Sequence, residues 1–289
     1  QAGDISAEIL LIDDGSTENF RKLNLRLRSR QSNQGELIRY HEIGENIGRS
    51  RIRNRFTAHA QNNHLLFLDC DSGILSDKFL ERYAEAIREH PDSVICGGRV
   101  YDVEPPSRNR RLHWKYGIRK ESRPAGQRKE DPNRSFMTNN FLIPIHLLKE
   151  IPFDERLSGY GHEDSLFGYE LFRNGREIIH IDNPVVHGDL ETDREFVEKT
   201  AEAVHNLVFI SKMLKDDPGF AESITLLSTV HRLESVGLAG IIRVGSILYI
   251  PLIRWLLQHG IASLKLLDAY KLGLYLRLIV KKSSPKTAP

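Results

Sequence analysis

Three short apolar runs near the start of the chain each close on acids or a glycine-containing turn. They are Glu8-Ile9-Leu10-Leu11-Ile12 before Asp13, Leu37-Ile38-Arg39-Tyr40 before Glu45-Asn46, and His64 to Leu68 before Asp69. Runs of this length, rich in Ile and Leu, read as strands buried on both faces. Helical patterns alternate with them, at Phe20 to Arg30, Arg49 to Gln61 and Asp77 to His90. In the last, Leu80, Tyr83, Ala84 and Ile87 share an apolar face and Pro91 is the stop. Alternation of this kind predicts a mostly parallel sheet covered by helices. Ligands then bind beyond the carboxyl ends of the strands, where the acids lie.

The total charge excludes little. Forty-one Lys/Arg against 39 Asp/Glu give +2 over 289 residues, so only local clusters could address nucleic acid or a membrane. One cluster is the stretch 105 to 134, with ten Lys/Arg against three Asp/Glu. It reads as a long basic loop, either solvated or acting as a lid for phosphate-bearing ligands, and it contains no nucleic-acid recognition motif. The other spans Gly240 to Lys282, strongly apolar with seven Lys/Arg against one Asp. Arg243, Arg254 and Lys265 fall eleven apart and would share a face on an unbroken helix, although Pro251 and Gly260 are expected to break it. The uncharged run Val244 to Ile253 is far below the roughly 20 residues a bilayer span requires. With Tyr249, Trp255 and Tyr275, the region suits helices lying on anionic lipid; helices closing the core or a dimer contact are the plainer reading. Cys70 and Cys96 are too few for a disulfide framework, which points to a reducing, cytoplasmic setting. The expected division is 1–215 for the α/β domain, 216–282 for the helical region and a disordered tail at 283–289.

The chemistry-bearing residues lie at predicted element ends. Asp69 and Asp71 follow the third strand and, by strand alternation, would point the same way, where two carboxylates could hold a hard cation. Gly159-Tyr160-Gly161-His162-Glu163-Asp164 opens a helix whose Leu166, Phe167, Leu171 and Phe172 face the core, and a carboxylate at such a start is placed for general-base work. Beyond a strand at Glu177 to Ile181, Pro184-Val185-Val186-His187 sets an imidazole after another apolar pair, a candidate further metal ligand.

In this order the pieces resemble the family 2 glycosyltransferases of the GT-A fold, over roughly residues 8 to 190. The chain has Ile12-Asp13-Asp14-Gly15-Ser16-Thr17 at the family's V-D-D-G-S-T, and Asn46-Ile47-Gly48-Arg49-Ser50-Arg51-Ile52-Arg53-Asn54 at its N-x-G-x-S-x-x-R-N. Phe67-Leu68-Asp69-Cys70-Asp71 stands at its F-L-D-x-D, Thr138-Asn139-Asn140 at its T-x-N-like stretch, and Phe153-Asp154-Glu155 with Gly159 to Asp164 at its F-D-E and G-x-G-x-E-D. The resemblance implies a GT-A, Rossmann-like, mostly parallel sheet covered by helices, here lacking the usual first strand-helix unit, and the sequence pattern adds a C-terminal helical amphipathic extension. It also implies an inverting transfer from a nucleotide sugar, a UDP-sugar foremost, to an acceptor hydroxyl. Asp13 or Asp14 would contact base and ribose, and Asn46, Gly48, Arg53 and Asn54 would line the nucleotide pocket. Asp71, with Asp69 nearby and His187 as further ligand, would bridge Mn²⁺ or Mg²⁺ to the diphosphate. Asp164 would be the base, while Asn139, Asn140, Tyr160 and Glu163 would lie near the sugars or acceptor.

The pattern departs from the family in two places. The usual first strand, ending in P-x-Y/F-N, and the helix after it are not found before Glu8. The expectation is a fragment of a longer protein or a truncated domain, and the latter admits an alternative, a catalytically inactive nucleotide-binding or partner subunit. Arg254-Trp255 lacks the glutamine of the processive Q-x-x-R-W motif, so a single sugar addition is expected. The acceptor would be a saccharide or lipid-linked saccharide of bacterial-type surface polysaccharide or glycolipid synthesis, met at the inner face of the cell membrane through 240–282.

Overall fold

The computed structural model describes residues 6–30 and 38–280. Leu37 and the tail at 283–289 lie outside the described residues, as does the end of the basic region at Lys281 and Lys282. In chain order the elements are β1 (Ile9–Asp13), α1 (Glu18–Arg30), β2 (Ile38–Glu42), α2 (Arg49–His59), β3 (His64–Leu68), β4 (Ser72–Ile74), α3 (Phe79–Glu89), β5 (Val94–Cys96) and β6 (Arg99–Val100). There follow α4 (Arg111–Tyr116), α5 (Ala125–Arg128), β7 (Asn140–Pro144), α6 (Ile145–Glu150), α7 (Glu163–Arg173), β8 (Ile178–His180) and β9 (Val185–His187). The chain ends in α8 (Asp193–Met213), α9 (Pro218–Ser223), α10 (Thr225–Ser235), α11 (Ala239–Gln258) and α12 (Leu264–Leu278). The chain forms two compact units, 1–99 with 123–159 and 163–186, and 100–122 with 160–162 and 187–289. The division expected at residue 215 differs from this, because the chain passes between the units several times.

In the first unit β1 pairs parallel with β2, and a four-stranded sheet runs β3-β7-β5-β8. β7 is antiparallel to both neighbours, whereas β5 and β8 are parallel. Pleating sends alternate residues to opposite faces. Phe141 and Ile143 of β7 join Leu65, Phe67, Val94 and Cys96 in one core, where Phe67 stacks on Phe141 at 4.9 Å and Phe153 on Phe167 at 4.0 Å. Leu142 and Ile95 face the other way, against Phe79 and Tyr83 of α3. The strands expected to be buried on both faces are buried less than that: β3 buries Leu65 and Phe67 while Leu66 is half-buried and Leu68 exposed, β2 is half-buried, and β1 exposes Ile9 and Leu11. Leu80 and Phe172, expected in the core, face solvent: Phe79 takes the inward position at the start of α3, and in α7 Leu171 is buried as expected while Phe172 is not.

The second unit is a helical bundle in which Leu112 of α4, Phe196 and Val197 of α8, Ile250, Ile253 and Leu257 of α11, and Leu267 and Tyr270 of α12 form one core. Thr192 and Glu195 close a reciprocal capping box at the start of α8. Two expectations are corrected. The 105–134 stretch is not an irregular loop, because it holds the 3₁₀ turn Arg108–Arg110, α4, a π turn over Gly117–Glu121 and α5. Pro251 does not break α11, whose 20 residues with mean hydropathy 1.5 are long and apolar enough to cross a membrane by length and composition. Gly260, at φ +88°, does end it.

Candidate active site

In the first unit, β1 delivers Asp13 and Asp14 into a tight turn. The Ser16 amide donates to Asp13 Oδ1 at 2.7 Å, and the Tyr40 hydroxyl and Asn24 amide donate to Oδ2 at 2.6 and 3.3 Å. Burial pushes the Asp13 carboxyl upward, but these hydrogen bonds outweigh it and hold the group below the usual carboxylate range. Asp13 is therefore a buried brace, which leaves half-buried Asp14 as the member of the pair nearer solvent. Asp14 accepts from the Ile47 and Gly48 amides at 2.7 and 3.2 Å, drawing the loop that starts α2 onto the end of β1. Gly15 permits this approach: at φ +79° a Cβ would stand 2.5 Å from the Asn46 nitrogen. Asn46 and Gly48 thus lie beside Asp14.

Arg53 and Asn54 point to different tasks. The Asn54 amide donates to the Phe153 carbonyl and to Glu155, and its oxygen accepts from the Phe153 amide, all at 3.0 Å. It holds the Phe153-Asp154-Glu155 segment in place, so its amide is spent on the fold rather than on lining a nucleotide pocket. Arg53 is buried, with its guanidinium 5.4 Å from the Phe153 ring centroid, 4.0 Å from Asp69 and 3.7 Å from Glu163. One cation thus joins the end of β3 to the start of α7.

The acids after β3 are placed by a turn rather than by strand alternation. β3 ends at Leu68, and the Ser72 amide donates to the Asp69 carbonyl at 3.0 Å. Asp69 and Asp71 therefore occupy the first and third positions of a β-turn, and Cys70 at its tip is exposed. Asp69 also faces Arg99, at 3.5 Å. Its amide donates to the Asn139 carbonyl at 3.1 Å, tying the turn to the residue before β7. Asn139 is 2% exposed, and neither its amide nitrogen nor its amide oxygen has a hydrogen-bond partner. Orphaned polar atoms at this depth cost roughly 1–3 kcal/mol unless a ligand or water meets them. Asn140 differs: fully buried, it accepts from Tyr83 at 2.6 Å and donates to the Gly98 and Asn183 carbonyls at 2.9 Å. This corrects the expectation that it lies against a sugar, because it braces the strand that carries Asn139.

At the start of α7, Glu163 is nearly buried and faces Arg49 at 3.2 Å as well as Arg53. Burial raises the Glu163 carboxyl, but the two guanidinium groups more than offset it and keep the group ionised below its ordinary range. Asp164, beside it, is half-buried and accepts from the Ser165 amide at 2.7 Å. The turn leading in has Gly159, Gly161 and His162 at φ +79°, +97° and +67°; His162 is the one non-glycine with positive φ among the described residues. Strain of this kind is held where a backbone must take one particular path.

In the second unit, the Asn206 amide donates to the carbonyls of Tyr160 and Gly161 at 3.2 and 3.1 Å, and Lys199 lies 5.3 Å from the Tyr160 ring centroid. His187 packs against the rings of His113 and Tyr101, each at 5.2 Å. One donor atom from each of His113, His187 and Glu191 falls within 4.8 Å of the others. Glu191 also pairs with His113 and Lys199, which more than offset its burial and hold its carboxyl well below the usual range. With two cationic or polarised partners on one carboxylate, this cluster is charge-balanced as an ion-pair group.

The divalent ion expected here can be tested against the residues. Asp69 already faces two guanidinium groups, so Asp71 on the same turn is the carboxylate better suited to a hard cation. The orphaned amide of Asn139 beside that turn marks a corner built for a polar ligand, and the first unit's residues fit a diphosphate-bound ion through Asp71. Arg49, Arg99, His113 and Glu191 were not singled out from the sequence. For Arg99 the available signal was its position straight after the Gly97-Gly98 pair that follows β5.

Residues 4–146 match the profile described as Glycosyl transferase family 2. No curated protein matches the chain. Among solved structures, a mannosyltransferase from Pyrobaculum calidifontis, PcManGT, in complex with GDP-Man and Mn²⁺, aligns with TM-score 0.53 and 14% identity, covering 93% of this chain and 78% of its own. TarS 1–349 of S. aureus aligns with TM-score 0.45 and 19% identity over 91% of this chain and 80% of its own. The mixed α/β architecture, the order of the five motifs and the profile match agree, and the chain belongs to the family 2 glycosyltransferases of the GT-A fold.

Proposed function

We propose that the chain transfers one sugar, with inversion, from a UDP-sugar to a hydroxyl of a saccharide or lipid-linked saccharide. A cytoplasmic acceptor of surface polysaccharide or glycolipid synthesis, met at the inner face of the membrane, is the setting favoured. The observation that carries this reading is Arg53, whose guanidinium faces both Asp69 and Glu163 and so brings the acidic turn and the start of α7 into one site.

Asp14 and the 46–48 loop it grips take the nucleoside end of the donor. Asp71 would hold Mn²⁺ or Mg²⁺, and such an ion would supply charge neutralisation for the departing nucleoside diphosphate. Asn139 offers its buried amide to the donor. Glu163 is committed to two arginines and serves to orient, whereas Asp164 takes the proton from the acceptor hydroxyl as that oxygen attacks the anomeric carbon. Attack opposite the leaving group inverts the configuration. The test is nucleotide release from a panel of nucleotide sugars with and without Mn²⁺. Turnover that needs the cation and fails in Asp71→Ala and Asp164→Asn supports the reading; undiminished turnover in both variants removes it.

A further inference from the structure

α11 carries two apolar faces. Ser246, Ile250, Ile253 and Leu257 are buried against α8, α12 and α4 and make part of the core of the second unit. Ile241, Val244, Leu248, Leu252 and Trp255 are each more than half exposed, and Leu248 reaches 81%. At about 100° per residue these five fall within an arc of about 80°, centred roughly opposite the buried face. Core packing accounts for the first face and leaves the second without a partner among the described residues.

The charge pattern selects among occupants. α11 has Arg243 and Arg254 and no acid, and between 239 and 280 the chain has five Lys/Arg against Asp268 alone. On the same spacing Arg243 and Arg254 lie about 120–140° from the centre of the exposed stripe, and Arg254 stands 3.9 Å from Glu198 of α8, so both cations flank the stripe, as those of an interfacial helix do. An anionic surface meets the same pattern with complementary charge. Trp255, in the exposed stripe, has the amphipathic ring that settles at the level of lipid headgroups. The buried opposite face keeps α11 attached to its unit, so the helix lies along such a surface instead of crossing it.

We infer that the exposed face of α11 is a docking surface for an anionic lipid bilayer, with Ile241, Val244, Leu248, Leu252 and Trp255 entering the headgroup boundary and Arg243 and Arg254 meeting lipid phosphates. The inference deepens the proposed function by naming the surface that brings the enzyme to a lipid-borne acceptor. It is tested without activity, so the two can fail separately.

The full chain is sedimented with vesicles of neutral phosphatidylcholine and with vesicles containing about one-third phosphatidylglycerol. The expected result is that the wild type pellets with the anionic vesicles. Leu248→Lys/Leu252→Lys should lose at least about tenfold in partitioning with an unchanged melting temperature, since both side chains are solvent-facing. Arg243→Gln/Arg254→Gln should lose the preference for anionic over neutral vesicles. Wild type that stays in the supernatant with both, or a double-lysine variant that pellets like wild type, overturns the inference. Light scattering that finds a dimer broken by the same lysines, with no vesicle binding, overturns it in favour of a second copy.

Discussion

Replacing Arg53 by methionine removes the charge that joins the acidic turn to α7 while keeping most of the apolar stem over Phe153. The guanidinium stands 3.7 Å from Glu163, whose side chain is 8% exposed, and 4.0 Å from Asp69. At an effective dielectric of about 20 each contact is worth about 4 kcal/mol before desolvation of the arginine is subtracted. Breaking one partner of a buried pair typically costs about 3–5 kcal/mol, because a buried charge is left behind. Here Arg49 remains 3.2 Å from Glu163 and Arg99 remains 3.5 Å from Asp69, so the expected loss falls to about 2–3 kcal/mol. Urea unfolding of Arg53→Met should read this directly. Arg49→Met, whose side chain is half exposed, should cost less than about 1 kcal/mol. The acid limb gives a second reading. Glu163 is held below its ordinary 4.5, so its contribution is present above about pH 4.5 and is lost as pH falls through the folded value. In Arg53→Met that loss should begin at higher pH. An Arg53→Met protein within about 0.5 kcal/mol of wild type, or an Arg49→Met protein that suffers more, would refute the reasoning.

His180 gives a pH dependence of separate origin. Arg128 can only donate, so His180 Nδ1 accepts from it at 2.6 Å and Nε2–H donates to the Pro132 carbonyl at 2.8 Å, which fixes the neutral ring. Burial lowers its pKa from 6.5 to about 4, so its contribution is full above about pH 6.5 and fades as pH falls toward 4. Against wild type, His180→Gln should be relatively less destabilised at pH 4.5 than at pH 7, by about 1–3 kcal/mol in urea unfolding. Gly15→Ala should cost about 2–3 kcal/mol by thermal unfolding, because its Cβ would meet the backbone of Asn46 at positive φ. Asn139→Leu separates fold from function: with both amide atoms orphaned, the variant should be as stable as wild type or about 1 kcal/mol more so, yet bind a UDP-sugar more weakly by calorimetry.

The order of strands and helices around the acids was legible because it rests on hydrophobic periodicity, as in β3, α3 and α7, but β7 between them was not read from the sequence. Asp69 and Glu163 were legible for the same reason, each sitting at an element end, whereas Asp14, Gly48 and Arg53 were named only through the family motifs they match. What periodicity does not encode is how a side chain is spent. Asp13 and Asn54 read as ligand contacts and are braces, a distinction set by Tyr40 and Phe153 from distant parts of the chain. The pairing of Asp69 and Asp71 was attributed to strand alternation, but the hydrogen bond from Ser72 bends the chain first. The basic 105–134 stretch looked like a loop by composition. Its Arg128 instead donates to the carbonyls of Cys96, Gly97 and Ile181 and is almost fully buried. Pro251 was expected to end α11, although a helix whose opposite face is buried in a core can absorb one missing hydrogen bond.

Release of nucleoside diphosphate from a UDP-sugar by the full chain in Mn²⁺ should be abolished by chelation and should fall by about 10²-fold or more in Asp71→Ala and in Asp164→Asn, with each variant still folded. Turnover indifferent to the cation, or an Asp164→Asn protein as active as wild type, would contradict the proposed function.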